Sequence, residues 1–158
     1  MRLQASELLR DERNVALLRL LRENPRAGIS ELAREIEMSA PAVRERLLRL
    51  EESGVIAGYR LLMEPRALGH PICVFIRVRP MPGKLAKIIE IAERLPQVVE
   101  CYRITGEDCF IIKAHLRELE VLDQLLDRFL VHGQTTTSLV QSVPIPLRDL
   151  PLPGEGRG

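Results

Sequence analysis

A chain of 158 residues and 17.9 kDa makes one ordinary domain or two small ones, long enough to fold without disulfides or metal. Hydrophobic residues are 46% and charged residues 28% of the chain, and the formal net charge is +1. No charge-free apolar stretch approaches the roughly 20 residues of a membrane span, so a membrane protein is excluded. Five aromatic rings and no Trp also argue against a reader of RNA or single strands that stacks bases on aromatic platforms. The start, MRLQASELLRDER, lacks the apolar core of a secretory signal, and the expected location is the cytoplasm. Cys73, Cys101 and Cys109 are scattered without CxxC spacing, and His70, His115 and His132 fall at no ligand interval with them; no metal and no cofactor are expected. Arg outnumbers Lys by twenty to three, a surplus that genomic composition alone can produce, although Arg is the better phosphate and guanine reader.

The first predicted helix is ERNVALLRLLRE at 12–23, with Val15, Leu17, Leu18 and Leu21 towards one face, Asp11 as cap and Asn24-Pro25 as stop. ISELAREIE follows, with Ile29, Leu32, Ala33 and Ile36 at i, i+3, i+4, i+7 and Gly28 as N-cap. After a tight connection at 37–39, APAVRERLLRLEESG gives a third helix, capped by Ser39, with Pro41 in its first turn and Gly54 at its end. Three helices with a short turn between the last two form a helix-turn-helix. VIAGYRLLME at 55–64 reads as a β segment, and 61–71 as a linker.

From residue 72 the period becomes two. Ile72, Val74, Ile76 and Val78 take one face of a strand, and Cys73, Phe75, Arg77 and Arg79 the other. A helix carrying Leu85, Ile88, Ile89, Ala92 and Leu95 comes next, then strands at about 98–105 and 108–115 joined by Gly106-Glu107. Leu119, Leu122, Leu125, Leu126 and Phe129 stripe a further helix, and TTTSLVQSV is the last strand. The order β-α-β-β-α-β is ferredoxin-like. The expected fold class is therefore α+β. A winged helix-turn-helix at 1–60 and a linker at 61–71 precede a ferredoxin-like sheet domain at 72–147 and a flexible Pro- and Gly-rich tail at 148–158.

The third helix carries the chemistry. At 100° per residue, Val43, Leu47 and Leu50 cluster within about 60° and pack inward. Ala42, Glu45 and Arg49 point away, with Arg44 and Arg46 on opposite flanks. Small residues at its start, Ser39, Ala40 and Ala42, allow close approach to DNA, and the arginines reach phosphates or guanine edges. Leu48 lies towards the same exposed side. Glu45, Glu51 and Glu52 repel phosphate, so useful affinity requires two copies acting together.

These strings resemble a known family in order and over residues 8 to 145. SAPAVRERLLRLEESGVIAGY resembles the SxxxVxxRxxxLExxGvIxgY core of the Lrp/AsnC (feast/famine) regulators. ALLRLLRENPRAGISELA, the linker ALGHP, VVECYRITGEDCFIIKAHL and TTTSLV resemble the segments around it. The resemblance implies a transcription regulator of double-stranded DNA. It further implies a homodimer formed through the ACT-like sheet domain, assembling into tetramers or octamers, and an amino acid or related metabolite bound between dimers. By position it implies a DNA-facing set of Ser39, Ala40, Pro41, Ala42, Arg44, Glu45, Arg46 and Arg49. It implies an effector set of Thr105, Gly106, Glu107 and Asp108, with Thr135, Thr136 and Thr137 nearby. Free backbone N–H groups of a tight Gly-containing hairpin suit a carboxylate. The chain departs from the family pattern in three places: Asn14 stands where many members carry Asp, read as a cap or surface change; Cys109 precedes Phe110 in GEDCF; and Leu48 sits on the recognition helix. If the acid absent at Cys109 would hold an effector's amino group, Asp108 or Glu107 is left to do so. The competing readings are a small-molecule enzyme on the same fold, of the haem-pathway decarboxylase kind, and a protein-binding module. Against the enzyme, no HExxH, GxSxG or phosphate-loop pattern occurs.

Overall fold

The computed structural model describes residues 2–156. Two compact units emerge: the chain up to Leu61 together with the segment from Leu147 onward, and the residues from Leu62 to Pro146. Among the described residues no helix is long and apolar enough to cross a membrane.

The first unit contains α1 (Arg2–Leu8), α2 (Glu12–Glu23), α3 (Ile29–Glu35) and α4 (Ala40–Glu52). Asp11 caps α2 by accepting the Arg13 N–H, and Ser39 caps α4 by accepting the Ala42 N–H at 3.4 Å. Glu37, with φ 53°, reverses the chain between α3 and α4, while the Met38 N–H closes on the Ala33 carbonyl at 2.9 Å. The inward stripe read from the sequence is the core: Leu17, Leu32, Ala33, Val43, Leu47 and Leu50 pack together. Each fully buried Leu or Val contributes roughly 1.5–3 kcal/mol. The sequence pattern did not show α1. Its end is closed from outside, by the Asn14 Nδ2 donating to the Leu8 carbonyl at 2.9 Å.

Two expectations are corrected. Residues 55–64 contain no strand: Val55 and Ile56 fold onto the helical core, and the remainder runs as irregular chain. Strand-forming composition makes a strand only where a neighbouring edge accepts its hydrogen bonds, and among the described residues this segment is paired with no strand. Asn14 is not a surface change, because it is 2% exposed.

The second unit is a four-stranded antiparallel sheet in the order β2-β3-β1-β4, built from β1 (Ile72–Pro80), β2 (Val98–Arg103), β3 (Phe110–Leu116) and β4 (Gly133–Leu139). Helices α5 (Leu85–Arg94) and α6 (Glu120–Leu130) complete it. This is the expected βαββαβ arrangement. Val74, Ile76, Val78, Phe110, Ile112, Ala114 and Leu116 form the core with Ile88, Ala92, Leu125 and Phe129 of the two helices. Gly133 opposes Pro80 where β4 enters the sheet, and a Cβ there would sit 2.9 Å from the Pro80 Cα. The other face, with Cys73, Phe75, Arg77 and Arg79 of β1, is left uncovered by α5 and α6.

Candidate functional site

Helix α4 sorts its side chains sharply. Val43, Leu47 and Leu50 are buried, while Pro41, Arg44, Glu45, Leu48 and Arg49 are exposed. Ser39, Ala40 and Ala42 stand at the helix start, where their small side chains leave the first turn accessible. Among the described residues Arg44 makes no ion pair. Arg49 is held by Glu45 one turn earlier at 2.5 Å, so reaching a phosphate requires it to leave that partner.

Arg46 is the exception within the expected DNA-facing set. It turns inward, donating to Asp11 Oδ2 at 2.5 Å and to Asn14 Oδ1 at 2.8 Å. The Arg46 hydrogen bond is the main reason the Asp11 carboxyl is held below its usual range. Arg46 thus locks α4 to the start of α2, where a charge-assisted, part-buried bond has structural value. Leu48, 51% exposed, borders a shallow groove with Leu21, Pro25, Ile29 and Tyr59. The Tyr59 hydroxyl donates to Glu51 at 3.0 Å and fastens the chain after α4 to its last turn; burial first, then this bond, raises its pKa.

Of the residues expected to hold an effector, Thr105 to Asp108 lie on the β2–β3 hairpin and Thr135 to Thr137 on β4. The Ile104 N–H bonds the Cys109 carbonyl at 2.9 Å, and Gly106 takes φ 112°, a conformation that strains any residue with a Cβ. Two residues absent from the expected set come to this hairpin. Arg79 pairs with Glu107 and reaches Asp108 at 3.9 Å, and Arg77 reaches Asp108 at 3.8 Å. The signal in the sequence was the alternation that placed Arg77 and Arg79 on one strand face; it did not say which loop they would meet. The threonine run divides. Thr136 pairs with Arg77 in register and shares its open face, whereas Thr135 and Thr137 pair with the buried Val78 and Ile76 and face the helices. One corner of the open face therefore holds two guanidiniums, two carboxylates and one Thr hydroxyl. Among the described residues, no three His, Cys, Asp or Glu side chains gather as a metal site.

Comparison with known proteins matches two successive parts of the chain to two family models. A winged helix-turn-helix DNA-binding family model matches residues 10–57, and an Lrp/AsnC ligand binding domain model matches residues 73–150. The HTH-type transcriptional regulator LrpC of Bacillus subtilis is 27% identical over 132 residues, covering 84% of this chain and 92% of its own. The HTH-type transcriptional regulator LrpA of Mycobacterium tuberculosis is 32% identical over 119 residues, covering 75% and 79%. A feast or famine regulatory protein from M. tuberculosis, solved in complex with L-methionine, superposes with a TM-score of 0.80 at 28% identity, covering 90% of this chain and 99% of the other.

Proposed function

We propose, from the premise that this chain belongs to the Lrp/AsnC family of transcriptional regulators, a way in which its two units divide the work of a DNA-binding regulator. A homodimer presents two α4 helices to successive major grooves about 34 Å apart, on a pseudo-palindromic site. Arg44, Glu45, Leu48 and Arg49 read the groove, and Ser39 to Ala42 let the backbone approach the phosphates. The observation that carries this reading is the composition of α4: a capped, small-residue N-terminus followed by one exposed stripe of polar and apolar base-reading side chains over a fully buried opposite face.

The effector is an amino acid, taken at the β2–β3 hairpin. Its carboxylate meets the guanidinium of Arg77 or Arg79, and its ammonium meets Glu107 or Asp108. The relative solved with L-methionine supports this class of ligand. Binding acts by shifting an equilibrium between dimers and larger assemblies, which requires different affinity for the two forms.

Fluorescence anisotropy on duplex DNA from upstream of the protein's own gene, against scrambled duplex and at two salt concentrations, tests the reading. Preferential binding that weakens steeply with salt is expected. A folded oligomer with no preference at low salt refutes it.

A further inference from the structure

The last residues of the described chain are not left loose. Leu152 to Glu155 form a closed turn: the Glu155 N–H donates to the Leu152 carbonyl at 2.9 Å, and the Leu152 N–H donates to Glu155 Oε2 at 2.9 Å. Gly154 and Gly156 take φ of 87° and 82° on either side of Glu155, which a residue with a Cβ adopts only under strain. The sequence LPGEG is therefore shaped to present one carboxylate.

That carboxylate is seated on α2. Arg22 holds it with both terminal nitrogens, Nη1 to Oε2 at 2.8 Å and Nη2 to Oε1 at 2.7 Å. Arg19, three residues earlier on the same helix face, gives its Nε to Oε1 at 3.2 Å and an Nη to the Pro153 carbonyl at 3.4 Å. Isolated surface ion pairs contribute little. A fork-to-fork Arg–carboxylate pair with further donors converging on the same group is the arrangement that departs from that rule. The Arg22 bonds, seconded by the Leu152 N–H, hold the Glu155 carboxyl down at about 2.

The matched ligand-binding domain ends at residue 150, so the clip lies beyond the segment that the family model covers. The connectivity gives it a use. The two segments that join the units leave the sheet at one end of the β1–β4 pair, where Val74 pairs with Leu139. One runs back from β1 to Leu61; the other runs from β4 to Leu147, where the chain rejoins the DNA-binding unit.

We propose that Arg19 and Arg22 form a docking site for the chain's own Leu152–Glu155 turn, and that the occupied site is a second tether between the DNA-binding unit and the edge strand of the sheet. Because the turn is covalently attached, docking is intramolecular and operates at high effective concentration. Salt weakens it, since the screening length falls from about 10 Å at 0.1 M to about 3 Å at 1 M.

Amide hydrogen exchange on the full-length protein tests this. At 0.1 M salt the Leu152 and Glu155 amides are expected to exchange at least about tenfold more slowly than in Glu155→Gln. Arg22→Gln should lose the same protection, while Asp149→Asn should keep it. Raising salt to 1 M should bring the wild type towards the variants, with the exchange of the β1–β4 amides unchanged as a control for folding. Unprotected tail amides in the wild type, or protection that survives both Glu155→Gln and Arg22→Gln, overturn the proposal. Neither result bears on whether α4 binds DNA.

Discussion

Arg46 of α4 donates to the side-chain oxygen of Asn14 at 2.8 Å, and the same amide donates its Nδ2 to the Leu8 carbonyl at 2.9 Å. One buried side chain thus joins α1, α2 and α4, and both of its polar ends are satisfied. Truncation of Arg46 to Ala strands the Asn14 oxygen in a nearly dry site. The expected loss of stability is about 1–3 kcal/mol, seen as a lower denaturation midpoint, whereas Arg44→Ala should leave the midpoint where it is. Equal midpoints for the two variants would refute the structural role of Arg46.

Arg49 carries a different consequence, because its charge is offset by Glu45 until DNA arrives. Arg49→Ala should weaken duplex binding and reduce the slope of log K against log salt by about 0.9 if one phosphate contact is lost, with the oligomer intact. Glu45→Gln should release Arg49 and raise affinity for scrambled duplex several-fold, so that discrimination falls while total binding rises. Anisotropy on specific and scrambled duplexes separates these effects.

The acid end of the pH scale should disclose the tail. Glu155 titrates at about 2 in the folded chain against 4.5 for the ordinary carboxyl. Its depressed value means that its contribution is complete above about 4.5 and fades as pH falls towards 2. Tail protection in hydrogen exchange should follow that window, and Glu155→Gln should show no such dependence. Protection lost already near pH 6 would point to a different contact.

At the entry to β4, Gly133→Ala should destabilise the sheet unit by about 1–3 kcal/mol, since the new methyl meets backbone, which cannot swing aside. At Gly28 a Cβ has nothing within 4 Å, so Gly28→Ala should cost only the preference of an N-cap for Gly over Ala, about 1 kcal/mol or less. Thermal melts of the two variants decide it.

Glu107→Gln removes one of the two negative charges at the β2–β3 corner, and Arg79→Ala one of the two positive charges. Light scattering with candidate amino acids should show an oligomer shift in the wild type and a reduced one in both variants. A full response in both would leave the effector to Arg77 and Asp108, and a full response in Arg77→Ala and Asp108→Asn as well would move it elsewhere.

Much of this architecture is legible in the sequence because burial imposes periods. Val43, Leu47 and Leu50 recur as a helix demands, and Val74, Ile76 and Val78 as a strand demands. What a period cannot report is the partner. Arg44 and Arg46 flank the same helix at mirrored angles, and only the position of Asp11 and Asn14 in space turns Arg46 into a strut. Tyr59 to Met63 have strand-like character without an edge to join. The Thr run reads as three adjacent hydroxyls, yet a pleat sends Thr136 one way and its neighbours the other. Glu155 lies more than 130 positions from both Arg19 and Arg22 in the chain, beyond the reach of any local pattern.

The separation of α4 into a sealed side and an open side bears on how such a protein diverges. Residues 44, 45, 48 and 49 can be exchanged without touching the packing of Val43, Leu47 and Leu50, so their effects on folding should be small, with coupling confined to the Glu45–Arg49 pair. A duplicated gene could therefore acquire a new operator through a few surface changes, each intermediate still folded, while the hidden positions remain under a separate and stricter selection.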